Sequence, residues 1–333
     1  ESTMPRIAYL LVSLTLTSIA WTPPQLAAAD DHDKPEPDKH VLITGTSTGI
    51  GRNLAETLAR QGYRVYAGVR NDVDQEALNA IQNITAVRMD VTKPEEIEAA
   101  VAFIREQGTG LHGLVNNAGV GGGGPVVETP VDQQTFVYDV NVEGVYRVTQ
   151  AFAPMIIESK GRIVTTGSIA GTLSWAGGTA YSGSKHWIEA YTDSLAAEME
   201  PHGVAVSVIE PGNYKSNIRR SSVARYHEKV EAAGSEVTEE MKKAYETTAE
   251  RELSYKEPDE VSEAFMHALF DDSPLRRYVV VPNAEEQEIT IRSKVNELVQ
   301  LNQWGPYSYD RDQLVELLDE ALSGDTSWEQ EEE

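Results

Sequence analysis

The sequence predicts an α/β fold built on a doubly wound parallel sheet, and three observations carry that prediction. Short apolar runs recur at 40–44, 64–69, 86–89, 113–116, 162–165, 204–209 and 277–281. They are continuous rather than alternating, the pattern of parallel strands buried on both faces. Most are separated by stretches with helical spacing, and the first empties into a glycine-rich turn that opens such a stretch.

The elements follow in order. Residues 52–61 place Leu54, Leu58 and Ala59 on one helical face, and 95–106 do the same with Ile97, Val101 and Ile104. Residues 131–159 read as one long helical stretch and 181–200 as another. Two regions stand outside the rhythm. Residues 213–257 are polar and helix-prone, a lid inserted between the sixth and last strands. Residues 285–333 form a C-terminal helical extension, broken at Gly305 and Pro306 and ending in an acidic tail. Leu314, Leu318, Ala321 and Leu322 fall on one face of its second segment. The expected organisation is a single domain over 40–284, carrying the lid and followed by the extension; no internal repeat is present.

Composition narrows the function. The 333 residues carry 28 Lys and Arg against 53 Asp and Glu, a net charge of −25. Phosphate backbones and anionic lipid surfaces are bound by clustered cations, so nucleic acid and such membranes are excluded as partners. There is no cysteine, which rules out disulfides, thiolate metal sites and a cysteine nucleophile. No metal site is expected.

The first 29 residues read as an address. Arg6, an apolar run over 7–21 and the small residues Ala27, Ala28 and Ala29 are the three parts of a secretory signal. They predict export to the periplasm, with a membrane-anchored or cytoplasmic chain as alternatives. Residues 30–39 (DDHDKPEPDK) read as an acidic linker.

The glycine-rich turn is Thr44-Gly45-Thr46-Ser47-Thr48-Gly49-Ile50-Gly51. Glycine lets the backbone turn tightly and approach a pyrophosphate, and the N–H groups opening the helix face its charge. Gly45, Thr46, Ser47, Gly49, Ile50 and Gly51 are therefore candidate dinucleotide contacts.

Further motifs give this turn a family. Asn116-Asn117-Ala118-Gly119 closes the fourth strand, Asp90-Val91 the third, and Pro211-Gly212 the sixth. Asn141, Ser168, Tyr181 and Lys185 stand 27, 13 and 4 residues apart. In these motifs, over about residues 40–283, the chain resembles the short-chain dehydrogenase/reductase family. The resemblance implies a Rossmann-type sheet and an NAD(P)-dependent oxidoreductase that interconverts a carbonyl and an alcohol. It implies Asn141, Ser168, Tyr181 and Lys185 as catalytic residues. It adds Asp90, Val91, Asn116, Ala118, Gly119, Tyr181, Lys185, Pro211 and Gly212 to the cofactor contacts. Ser216 stands where the family often carries Thr, and its hydroxyl would hold the carboxamide.

The chemistry suits the residue types. Tyr181 and Lys185, four apart, share a helical face. A phenol is a poor base at neutral pH, and a neighbouring ammonium is expected to lower its pKa. Tyr181 then donates a proton to a carbonyl oxygen, or takes one from an alcohol. Ser168 would stabilise charge developing on that oxygen. By the resemblance, Lys185 also holds the nicotinamide ribose, and Asn141 holds a water that relays protons. His186 is expected to be structural, and the glycines at 121–124 a flexible loop.

The end of the second strand selects the cofactor. Val69 stands where an acidic residue would bind the ribose 2′-hydroxyl of NAD, and Arg70 follows it, which favours NADP(H) over NAD(H). Thr48 departs from the basic residue that many NADP-preferring members carry. Trp175, Tyr214 and residues 213–257 are expected to roof the pocket. The resemblance points to a bulky lipophilic substrate, steroid- or retinoid-like, or another small carbonyl compound. It also implies a homodimer or homotetramer paired through 131–159 and 181–200. The rival readings are a dinucleotide-binding regulator without turnover and a sugar-nucleotide epimerase or dehydratase. The latter usually carries Gly-x-x-Gly-x-x-Gly, which Gly45, Gly49 and Gly51 do not fit.

Overall fold

The computed structural model describes residues 39–232 and 234–324. The signal-like segment, the linker up to residue 38 and the acidic tail lie outside the described residues.

Seven strands form one parallel sheet. They are β1 (His40–Ile43), β2 (Arg64–Val69), β3 (Ile84–Arg88), β4 (Gly113–Asn116), β5 (Arg162–Thr166), β6 (Ala205–Pro211) and β7 (Arg277–Val280). Their order is β3-β2-β1-β4-β5-β6-β7, so the winding reverses between β1 and β4. Val41 pairs with Val65 on one side and Gly113 on the other. In such sheets a ligand crevice opens beyond the carboxyl ends of the strands at the reversal.

Period-two alternation divides the core between the two faces. Val41, Ile43, Val65 and Ala67 face a layer built by α1 (Gly49–Arg60), α2 (Asp72–Asn79) and α9 (Asp259–Phe270). Leu42, Tyr66 and Leu114 face the other layer: α3 (Pro94–Gln107), α5 (Gly144–Ser159) and α6 (Thr179–Met199). Phe265 and Leu269 fill the first layer, Phe152 and Ile156 the second, all fully buried.

The stretch expected as one helix over 131–159 has a break in its register. α4 (Val131–Tyr138) runs into a π-helical turn, Asp139–Glu143, and then into α5. The Gly144 N–H reaches back five residues to the Asp139 carbonyl. Arg147 braces the widened turn, donating to Asp139 Oδ1 at 2.8 Å and to its carbonyl oxygen at 3.2 Å. Such turns concentrate at functional sites, and this one carries Asn141.

The insertion at 213–257 supplies α7 (Ile218–Ala232) and α8 (Glu239–Leu253). None of the described residues of α7 is buried, so packing contributes little to it. A carboxylate does instead: Glu252 of α8, 3% exposed, accepts from the backbone N–H groups of Arg219 (2.7 Å) and Arg220 (3.0 Å). A negative charge at a helix N-terminus is favourable. The extension folds as α10 (Ala284–Leu301) and α11 (Arg311–Ser323). An Asp310–Gln313 capping box starts α11, but Leu318 and Leu322 of its expected apolar face are exposed. No described helix is long and apolar enough to cross a membrane.

Candidate active site

The cleft opens where the sheet reverses. The Thr44 hydroxyl, at the end of β1, accepts from the backbone N–H groups of Asn117 (2.9 Å) and Ala118 (2.8 Å) after β4. Asn117 returns its amide to the carbonyl oxygens of Thr44 and Gly45. These bonds clamp the two strand ends. The clamp leaves no room for side chains: a Cβ on Gly45 would lie 2.8 Å from Ala118 Cα, and one on Gly51 would overlap the Asn117 amide. Gly45 also has φ +69°, a conformation that glycine adopts without strain.

The N-terminus of α1 faces this cleft. Thr48, its N-cap, makes no side-chain capping bond, and no acidic residue stands in the first turn. The first N–H groups are therefore free of side-chain acceptors, which suits a pyrophosphate. Ser47, Gly49, Ile50 and Gly51 line the cleft here, Arg70 lines it beyond β2, and Asp90 and Val91 beyond β3. Asp90 accepts from the Thr92 N–H (2.9 Å) and hydroxyl (2.8 Å). Partial burial raises its pKa, but these bonds, with the charges of Arg70 and Lys93, outweigh that and hold the carboxyl below its ordinary value. Ala118, Gly119, Pro211, Gly212 and Ser216 complete the lining, so the residues present fit a nicotinamide dinucleotide.

Ser168, Tyr181 and Lys185 meet at the other end of the cleft. Ser168 follows β5 and caps a short 3-10 turn, its Oγ accepting from the Ala170 N–H at 3.1 Å. Burial raises the Tyr181 pKa, while a hydrogen bond with Ser168 and the charge of Arg219 oppose the rise. Lys185 Nζ donates to the Thr166 carbonyl oxygen at 2.7 Å and lies 5.8 Å from the centre of the Tyr181 ring. Burial pulls its pKa down to about 8, against the charge of Glu189. The expectation that Lys185 lowers the Tyr181 pKa is thus not met in the chain alone. The ammonium is turned to Thr166, burial dominates, and Tyr181 is a neutral phenol at physiological pH.

Behind Lys185 lies an acidic pair. Glu189, one turn along α6, accepts from Arg277 Nε at 3.1 Å, while its Oε1 is buried without a hydrogen-bond partner. Burial and the nearby Glu189 raise Glu210 to about 7.

Three of the residues expected at the site lie outside the lining. Thr46 is fully buried and donates to the Gly68 carbonyl oxygen at 3.0 Å, fastening the turn to β2. Asn116 donates to Thr149 Oγ1 at 2.8 Å. Asn141 donates to Val120 O and Ser184 Oγ, both at 3.0 Å, and accepts from the Val120 N–H at 2.8 Å. Its side-chain amide is thereby committed to bracing the loop after β4 against the helix of Tyr181. Tyr214 lines the cleft, but its hydroxyl donates to Glu260 at 2.6 Å and its ring joins the core, so it is no roof. Trp175 is half-exposed, its ring centre 6.4 Å from that of Tyr181. His186 Nδ1 bonds the Ser182 carbonyl oxygen at 2.9 Å, in a structural role.

Sequence reasoning missed three contributors. Asn117 acts through the clamp. Glu286 of α10 accepts from the Asn213 N–H at 2.8 Å, so the extension steadies the loop after β6. Arg225 of α7 lines the cleft beside Arg70. Each finds its partner far along the chain; Asn117 stands in the motif that closes the fourth strand, but no local pattern marks its clamp, nor Glu286 or Arg225.

Comparison with known proteins bears on the family and the fold. The short chain dehydrogenase profile matches residues 39–227. Retinol dehydrogenase 16 of Rattus norvegicus is 40% identical over 186 residues, 54% of this chain and 58% of that protein, so the match spans less than two thirds of that relative. The mitochondrial D-beta-hydroxybutyrate dehydrogenase of Bos taurus is 34% identical over 268 residues, 73% of this chain and 77% of its own. Among solved structures, a short chain dehydrogenase/reductase from Burkholderia phymatum in complex with NAD superposes with a TM-score of 0.67 at 26% identity, covering 81% of this chain and 98% of that one.

Proposed function

The chain belongs to the short-chain dehydrogenase family, and from that premise we propose that it is an NADP(H)-dependent oxidoreductase interconverting a bulky lipophilic carbonyl compound and its alcohol. The observation that carries the reading is the meeting of Ser168, Tyr181 and Lys185 in the cleft that begins at the uncapped N-terminus of α1.

When bound, a reduced nicotinamide supplies the hydride for the carbonyl carbon. The protein does the rest. The N–H groups opening α1 would hold the pyrophosphate, and Asp90 and Val91 would lie on the adenine side. Ser168 donates to the substrate oxygen and places it beside Tyr181. Tyr181, kept protonated by burial, delivers its proton to that oxygen as the carbonyl becomes an alcohol. The Lys185 ammonium stabilises the tyrosinate left behind. Asn141 positions the catalytic helix through Ser184 rather than touching substrate. The reverse reaction runs through the same groups.

Cofactor choice follows Arg70, whose guanidinium is exposed at the cleft with no acidic residue in place of Val69. Substrate size follows a second cavity, about 1060 Å³, between the loop at 121–130 and α7, lined in part by Pro125, Phe136, Val223 and Tyr226. These side chains suit a lipophilic chain or ring system, and the charged Glu128, Asp132, Arg225, Glu228 and Lys229 also line the cavity. The retinol dehydrogenase relative is consistent with that class. Export by the signal-like segment and pairing through the outer faces of α4, α5 and α6 belong to the same proposal.

Titrating the chain separately with NADPH and NADH, followed by a screen of lipophilic ketones and aldehydes, tests the reading. Tight NADPH binding with turnover supports it. Binding without turnover over the whole panel favours a regulator, and a clear NADH preference overturns the cofactor assignment.

A further inference from the structure

Two guanidinium groups line one cleft, one from the sheet and one from the lid. Arg70 follows β2, on the fixed sheet, and Arg225 comes from α7, on the lid; both line the same cleft. Among the described residues, neither has a carboxylate within ion-pair distance. This is unexpected in a chain with a net charge of −25. Asp90 acts on Arg70 only at longer range, its own oxygen being taken by Thr92. Glu228, on the same helix, acts on Arg225 likewise.

Arg225 is fixed in place. It donates to the Gly121 carbonyl oxygen at 2.7 Å, and its guanidinium lies 5.2 Å from the centre of the Phe136 ring. The lid helix is thereby tied to the loop after β4 and to α4. Burial, and then the charge of Arg70, push the Arg225 pKa down from its ordinary value. Two like charges that line one cleft and act on each other, one of them partly buried, favour an anion between them. Guanidinium groups are suited to phosphate, which they bind through paired N–H donors.

We propose that Arg70 and Arg225 form a two-sided clamp for the 2′-phosphate of the adenosine ribose, so that a residue of the lid helps select the phosphorylated dinucleotide. The inference rests on the NADP(H) reading above and deepens it. The pyrophosphate is placed elsewhere, at the N-terminus of α1, and is common to both dinucleotides. A clamp on the 2′-phosphate therefore acts on one of them alone. It also links cofactor choice to the lid, because Arg225 stays on the phosphate only while α7 is folded over the cleft.

The test is fluorescence titration of the full chain with NADPH and NADH, for the wild type, Arg225→Met, Arg225→Lys and Arg70→Met. Displacement by 2′,5′-ADP and by 5′-AMP reads the phosphate without the nicotinamide. Arg225→Met is expected to weaken NADPH and 2′,5′-ADP by at least about tenfold, and to leave NADH and 5′-AMP within about twofold. Arg225→Lys should recover part of the loss. Retained NADH binding shows that the variant is folded. The clamp is overturned if Arg225→Met weakens both dinucleotides equally, which assigns the residue to the pyrophosphate or to lid folding, or if it weakens neither. Loss of NADPH preference in Arg70→Met alone would retain the NADP(H) reading and remove Arg225 from it. A wild type that prefers NADH would remove both.

Discussion

Lys185 donates to the carbonyl oxygen of Thr166 at 2.7 Å, so the ammonium beneath the Tyr181 ring is anchored to the last residue of β5. The bond fixes where the charge lies when a proton leaves the phenol. It also ties the catalytic helix to the strand that leads to Ser168.

The anchored ammonium sets a pH limit. Burial brings Lys185 to about 8, so it is charged below that pH and increasingly neutral above it. Tyr181 keeps its proton throughout this range, because burial raises its pKa. We predict that kcat/KM for carbonyl reduction is flat below neutrality and falls as pH rises through about 8. Lys185→Met should lower the plateau by about 100-fold or more and remove the inflection. A profile that rises through the same range would contradict the assignment.

The strand-end clamp predicts the effect of a methyl group. In Gly51→Ala the new Cβ would overlap the Asn117 amide and lie 2.6 Å from the Gly45 carbonyl oxygen. Moving Asn117 loosens the turn that faces the pyrophosphate. Dinucleotide affinity should fall about tenfold or more, for NADPH and NADH alike. Unchanged affinity in a titration would show that the turn does not contact the ligand.

Glu210 predicts a stability profile. Its pKa is raised from 4.5 to about 7 by burial and by Glu189, while Arg277 and Lys294 oppose the rise. The folded chain therefore binds a proton more tightly there than the unfolded chain. The resulting stability is full below pH 4.5 and is lost as pH rises to about 7. Glu210→Gln should be the more stable protein above neutrality, by up to about 3 kcal/mol. Denaturant unfolding at pH 5 and pH 8 measures it, and an equal change at both would contradict the buried proton.

One carboxylate caps the lid helix. Removing the Glu252 acceptor leaves the N–H groups of Arg219 and Arg220 without it. Glu252→Ala should weaken α7 locally by about 1–2 kcal/mol. Hydrogen exchange over 218–232 should quicken and KM for a bulky substrate should rise. Unchanged protection of that segment would show that the cap is not needed.

The fold was legible where burial on both faces leaves a continuous apolar run. β1, β2 and β4 fall where the sequence predicts them for that reason. α2 was not visible, since Leu78 is its one buried residue and eight residues carry little periodicity. α9 was passed over, although Val261, Phe265, Ala268 and Leu269 repeat at helical spacing. The π-helical turn left no mark, because its extra residue shifts register only once. In the site, motif residues that touch the cleft through backbone or glycine were readable. Thr46, Asn116 and Asn141 sit in the right places, but their side chains bond to the protein, which only the partners Gly68, Thr149 and Ser184 reveal. Glu252, Glu286 and Arg225 depend on contacts across the tertiary structure.

The most direct measurement follows NADPH absorbance with a panel of lipophilic ketones and aldehydes, in the wild type and in Tyr181→Phe. The reading predicts that the wild type consumes NADPH in step with alcohol formation. Tyr181→Phe should bind NADPH within about threefold of wild-type affinity and reduce the substrate at least about 100-fold more slowly. A Tyr181→Phe protein as active as the wild type would contradict the assignment of the proton donor. A wild type that binds dinucleotide and turns over nothing would contradict the enzyme itself.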